Sequence, residues 1–172
     1  MKLNLSFNNR LLITAISTLV FGLILLQEYL GGGVAIHYLL HDKDLPGFSN
    51  WWGLITIPIV TWITLSLIKK QSSESIPKGI QLRFLAALFF GIAMSLAWNL
   101  SLESLMLYMM LAVILLSLFI LLYRPEIFLG FVLGMMLTFG AILPIIMGVV
   151  LFIIFMIAHT IKNGVLFLSK KI

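Results

Sequence analysis

The chain has 172 residues, of which 62% are hydrophobic and only 10% charged, with a mean hydropathy of +1.16. Soluble domains carry about 45–50% apolar and about 25% charged residues, so a water-soluble globule is excluded, as are a disordered chain and a coiled coil. The absence of cysteine removes disulfides, thiolate nucleophiles, Cys-based metal or iron–sulfur sites and redox relays. A net charge of +5 reads here as a topology signal rather than as a nucleic-acid surface.

The first apolar run, 11–30, has full spanning length and lacks a small-residue cleavage site, so an uncleaved span is expected. Gly31-Gly32-Gly33 closes it. An outer loop, 31–50, leads to a second span over 51–68, which ends at Lys69-Lys70. The third and fourth spans are expected at 84–100 and 104–123. From Ile127 to Ile161 the chain is apolar for 35 residues, too long for one straight helix through a core about 30 Å thick. Gly140, Pro144 and Gly148 lie in its middle, so a tight hairpin is expected between spans at 127–142 and 144–161.

Charge decides between five spans and six. With six spans and both termini in the cytoplasm, ten of the eleven basic residues lie inside and only Lys43 outside. Five spans would export Lys162, Lys170 and Lys171, against the positive-inside bias. The fold expected is an all-α, polytopic transmembrane helical bundle of six spans in a single domain, 1–172, with N- and C-terminus cytoplasmic. Gly130 and Gly134 form a GxxxG, a small-residue surface that lets helices approach closely, within the chain or in a homo-oligomer.

Polar chemistry collects at the expected outer face. Glu28 stands 17 residues beyond Leu11, roughly 26 Å along a helix, at the interface. Val34–His41 contains no helix breaker, and helical spacing would put Val34, His37, Tyr38 and His41 on one side, as in a short interfacial helix. His37 and His41 at i and i+4 can hold a divalent metal when a carboxylate completes the set, and they equally suit two solvated imidazoles. Ser49 or Asn50 is suited to cap the second span, while Trp51 and Trp52 suit headgroup anchoring. Asn99, in a mostly apolar helix, calls for a partner within the bundle. Pro58 frees a backbone carbonyl near residue 54, and a kink there would open space under the loop. His159, near the other end of the sixth span, is expected far from this group.

The segment Gly32-Gly33-Val34…His37…Leu39-Leu40…Asp44-Leu45-Pro46…Ser49-Asn50-Trp51-Trp52-Gly53 resembles one in small multipass bacterial membrane proteins of uncharacterised activity. It covers about 22 residues, and His41 is not part of the pattern. The resemblance implies a bacterial cytoplasmic-membrane location and supplies no activity, cofactor or catalytic residue.

Three functions compete. The first is binding or transport of a small ligand or ion at the outer face, with Glu28, His37, Asp44, Asn50, Trp51 and Asn99 as candidate ligand-binding residues. Its weakness is the lack of a charged residue placed at mid-bilayer, where coupling sites lie. The second is an interfacial membrane enzyme acting on lipid, with His37 as general base or metal ligand and Asp44 or Glu28 orienting it. The third is an accessory subunit that binds another membrane protein. Membrane lipids are partners under every reading, nucleic acid under none, and no particular cofactor follows.

Reporter fusions after Lys78, Arg124 and Lys171 are expected to report cytoplasm, and fusions near Lys43 or Glu103 the outside. A C-terminal reporter exposed outside overturns the six-span topology.

Overall fold

The computed structural model describes residues 4–38, 42–72 and 75–169, with side chains as far as Gly164. Six helices run in chain order: α1 (Phe7–Leu30), α2 (Gly53–Gln71), α3 (Lys78–Asn99), α4 (Glu103–Ser117), α5 (Pro125–Phe139) and α6 (Ile142–Ser169). Between α1 and α2 lie two short strands, β1 (Ile36–Tyr38) and β2 (Gly47–Ser49), and a single 3-10 turn over Asn50–Trp52.

Four helical stretches are long and apolar enough to cross a membrane: Phe7–Leu30, Asn50–Gln71, Lys78–Asn99 and Ile142–Gly164. Their surfaces carry exposed Leu, Ile and Phe side chains, among them Leu19, Leu23, Ile59, Ile63, Phe89 and Ile157. Such a surface is costly in water and suits a hydrocarbon solvent. The protein is thus an all-helical membrane protein apart from its small hairpin. Helices α4 and α5 have 15 residues each, roughly 22 Å at ~1.5 Å per residue, and fall short of the core thickness.

Several helix boundaries differ from the expected spans: α1 begins at Phe7, α3 begins at Lys78, and α6 runs from Ile142 to Ser169. The fourth span was expected to reach Tyr123, but α4 stops at Ser117, whose hydroxyl donates to the Ile114 carbonyl at 2.6 Å. Turn-type bonds from Leu118 to Leu115 and from Phe119 to Leu116 close the end. Pro125 holds Arg124 extended, at φ −128° and ψ 143°, which forbids helix there in any case. The apolar stretch beyond Ile127 divides at Gly140, whose φ of 67° an L side chain rarely adopts, and Pro144 falls in the first turn of α6.

Helix α5 is the centre of the bundle. Glu126, Leu129, Gly130, Phe131, Val132, Gly134, Met135 and Met136 are all buried on it, whereas Ser117 is the only buried residue of α4. Its GxxxG faces α3. A Cβ on Gly130 would fall on the Phe84 carbonyl oxygen, and one on Gly134 on that of Leu88. From the α3 side, a Cβ on Gly91 would come within 2.7 Å of the Phe131 carbonyl oxygen. The small-residue seam is therefore used inside one chain, where it brings two backbones into contact.

The opposite side is closed by α1 and α2. Phe21, Leu25 and Ile57 pack with Val132 and Met136 of α5, and Phe21 lies where a Cβ of Gly53 would stand. Near the start of α1, Arg10 donates to the Ser66 hydroxyl at 2.7 Å and sits 4.7 Å over the Trp62 ring. The end of the bundle beside Lys78 holds one buried ion pair. Arg83 Nε of α3 donates to Glu126 Oε1 of α5 at 2.7 Å, and Glu126 is fully buried.

Gly134→Ala is expected to lose about 1–3 kcal/mol of stability because backbone, not a flexible side chain, blocks the added methyl. Gly22→Ala, with open space around the new methyl, is expected to be neutral or to gain up to about 1 kcal/mol. Unfolding in detergent micelles reads both; equal losses would refute the α3–α5 contact.

Candidate functional site

The hairpin end of the molecule is organised by a carboxylate. Helix α1 ends where Gly31 N–H bonds the Gln27 and Glu28 carbonyls and Gly33 N–H returns to the Glu28 carbonyl at 3.1 Å. Gly32 and Gly33 have φ of 123° and 135°, so the chain reverses where a side chain would be strained. The reversal carries Ala35 back over Glu28. Glu28 Oε2 accepts the Ala35 N–H at 3.1 Å, and Oε1 accepts an Asn50 Nδ2 hydrogen at 2.7 Å. Asn50 N–H completes the ring by donating to the Ala35 carbonyl at 3.0 Å. Asn50 is 4% exposed, and its Oδ1 stands where a Cβ of Gly140 would be. One cluster of bonds thus ties the end of α1, the loop and the start of α2 beside the α5–α6 turn.

The segment expected as a short helix is a strand. β1 pairs antiparallel with β2, with Ile36 opposite Ser49, His37 opposite Phe48 and Tyr38 opposite Gly47. Two local facts favour pairing. Ile and Tyr prefer a pleated surface, and Gly47 leaves its face open for Ile36 and Tyr38, which come within 2.9 and 2.8 Å of the position a Cβ would take. Successive strand residues face opposite sides, so the helical grouping of His37 with Tyr38 does not form. His41 lies outside the described residues. Among the described residues no three His, Asp or Glu side chains gather closely enough to hold a metal.

The remaining candidates are dispersed. Asp44 is exposed in a turn where Asp42 Oδ1 accepts its backbone N–H at 2.9 Å, and among the described residues nothing donates to its own carboxylate. Trp51 is 53% exposed, and its N–H is capped by the Ser49 hydroxyl at 3.4 Å. Asn99 bonds across to Thr138 of α5 at 3.3 Å. Glu28 and Asn50 come together; His37, Asp44, Trp51 and Asn99 do not join them. His159 stands near the far end of α6, its ring 5.6 Å from that of Tyr123.

The space expected near the kink at Pro58 lies elsewhere. Helix α2 runs unbroken through Pro58. A cavity of about 790 Å³ opens instead between α3, α4, α5 and α6, with β1 and Lys43 also lining it. Its walls include Met94, Met106, Met110, Met135 and Met147, with the Trp98 and Phe139 rings tilted at 57° and 5.3 Å apart. Lys43 and His37 line it beside β1, the His37 Nε2 itself buried, and Thr138 lies in the wall. The chemistry on offer is an apolar, polarisable interior with basic groups on one side. Among the described residues of the expected site only His37 lines it. Lys43 carried a signal in the sequence, as the single base assigned to the outside; the methionines, scattered over four helices, carried none.

No protein-family model, curated protein or solved structure matches the chain, so the functional reading rests on this geometry.

Asn50→Ala is expected to cost about 1.5–3 kcal/mol, the range of a hydrogen bond to a charged group. Glu28→Gln should cost less than Glu28→Ala, since the amide still accepts one of the two bonds. Thermal unfolding in detergent measures each; a silent Asn50→Ala would show that the cluster does not hold the hairpin.

Proposed function

We propose that the protein is a six-span component of a bacterial cytoplasmic membrane that binds a single-chain anionic amphiphile in the cavity beneath its outer hairpin. The observation that carries this reading is the cavity itself, with room for a flexible chain and two basic groups in its lining. Ligand sites are commonly concave and mostly apolar, with a few polar groups that fix orientation. Here the methionine walls accommodate a chain without demanding one shape, while Lys43 and His37 meet an anionic head. The glycine reversal and the Glu28–Asn50 bonds hold the hairpin over the opening, a positioning role rather than a contact with ligand.

The six-span orientation supports the same placement. It puts the hairpin outside, where Lys43 is the lone base among Glu28, Asp42, Asp44 and Glu103. The interfacial-enzyme reading needs Asp44 or Glu28 to orient His37; Asp44 lies in an exposed turn, and the two Glu28 oxygens accept from Ala35 and Asn50.

Trp98 lines the cavity and provides the assay. In a variant with Trp51, Trp52 and Trp62 changed to Phe, lysophosphatidylglycerol with a brominated chain is expected to quench Trp98 fluorescence saturably. The zwitterionic choline analogue should bind more weakly. Lys43→Glu should weaken binding of the anionic lipid about tenfold, equivalent to ~1.4 kcal/mol, and leave the choline lipid unchanged. Equal binding of both lipids by the two forms would remove the basic groups from the site.

A further inference from the structure

A second cavity, of about 380 Å³, lies in the same groove. Its walls come from the same four helices, with Arg83, Phe90, Val113, Phe131 and Leu151 among them. The outer cavity takes Met94 of α3, Met110 of α4, Met135 of α5 and Met147 of α6. Going from Phe90 to Met94, Val113 to Met110, Phe131 to Met135 and Leu151 to Met147 is a step of three or four residues on every helix. The two spaces are therefore stacked along the bundle axis, and the layer between them is about one helical turn thick, ~5.4 Å.

That layer has a particular composition. All four helices contribute a methionine to its outer face, and a methionine side chain has three rotatable bonds and no branch to lock it. A partition of methionines changes shape by rotamer changes alone. The groove's lateral wall is also weakly held, because Ser117 is the only buried residue of α4. By contrast α3 and α5 meet backbone to backbone and form a fixed wall.

Both ends carry a cation. At the inner cavity Arg83 gives its Nε hydrogen to Glu126, and among the described residues its two terminal nitrogens donate to nothing. The Arg83 side chain is 34% exposed; its stem lines the cavity and its Nη1 lies toward Gly79, at the inner end of α3. Lys43 and His37 occupy the corresponding place at the other end.

We infer that the two cavities are the halves of one passage, and that the protein carries a single-chain anionic amphiphile between leaflets through the methionine layer. The inference rests on the binding function proposed above and adds a route. The chain slides within the apolar groove while the head exchanges the basic groups at one end for Arg83 at the other. Helix α4 moves outward to admit it. No residue is placed for ion coupling, so movement is down the gradient of the lipid.

The test uses purified full-length protein in phosphatidylcholine vesicles holding lysophosphatidylglycerol with a nitrobenzoxadiazole label on its chain. Dithionite added outside bleaches only the outer leaflet in protein-free vesicles. With the protein present, bleaching should run to near completion. The chain has no cysteine, so Met110→Cys with Met147→Cys can be joined by a bismaleimide to tie α4 to α6 across the partition. Tied protein should bleach only the outer leaflet yet still show quenching of Trp98 by brominated lipid. The untied double variant is the baseline for the tied form, because Met110 and Met147 line the cavity, and its quenching of Trp98 by brominated lipid shows that it is folded. Complete bleaching by tied protein, or outer-leaflet bleaching alone by wild type that still binds the brominated lipid, overturns the passage while leaving the binding site standing. Loss of Trp98 quenching in the otherwise wild-type protein that keeps Trp98 as its single tryptophan overturns the binding function itself, and the passage with it.

Discussion

The backbone contact between α3 and α5 is the constraint on which the rest of the bundle depends. In a membrane the apolar faces of two helices gain nothing by leaving lipid, so association relies on close packing and on polar bonds. Gly91, Gly130 and Gly134 supply that closeness, and the carbonyls of Phe84, Leu88 and Phe131 occupy the room a side chain would need. With α5 fixed against α3, α1 and α2 close over one flank of α5, and the groove is left on the side covered by α4. The buried Arg83–Glu126 pair lies on the same seam. Such a pair is weak evidence for stability, because desolvation offsets the attraction, but it sets the register of α5 against α3.

The second organising element is polar and sits at the opposite end. Glu28 accepts one bond from the loop and one from the Asn50 side chain, so a carboxylate does for the loop what a strand ladder would otherwise do. The buried Asn50 amide then requires a residue without a side chain opposite it, and Gly140 meets that need while also turning α5 into α6. A three-residue pairing of β1 with β2 is too short to stand alone in water. It persists because both strands are anchored at the same carboxylate.

Much of this was legible in the sequence, and the parts that were not share a cause. Apolar run length located α1, α2 and α3, and the glycine-proline region marked the α5–α6 break. The cost of polar groups near lipid drew attention to Glu28 and Asn50. The strand over Ile36–Tyr38 was hidden because its partner lies across a turn and no periodicity distinguishes three residues. The end of α4 at Ser117 was hidden because Leu118–Leu122 are as apolar as the helix before them. The cavity was hidden for a deeper reason. Lipid and protein interior are both apolar, so a single sequence does not say which face of α4 or α6 turns inward. Five methionines on four helices converge only once those rotations are fixed.

The shortness of α4 bears on the membrane as well as on the protein. Helix α5 is equally short but buried along most of its length, whereas most residues of α4 are exposed. A 15-residue helix covers roughly 22 Å of a hydrocarbon core about 30 Å thick. Acyl chains beside it must tilt or compress to match, at a fraction of a kcal/mol for each ångström of mismatch. On the six-span reading proposed above, the bilayer is thinnest along the flank where the groove is least firmly closed, and the headgroup passage inferred there has the shortest stretch of hydrocarbon to traverse.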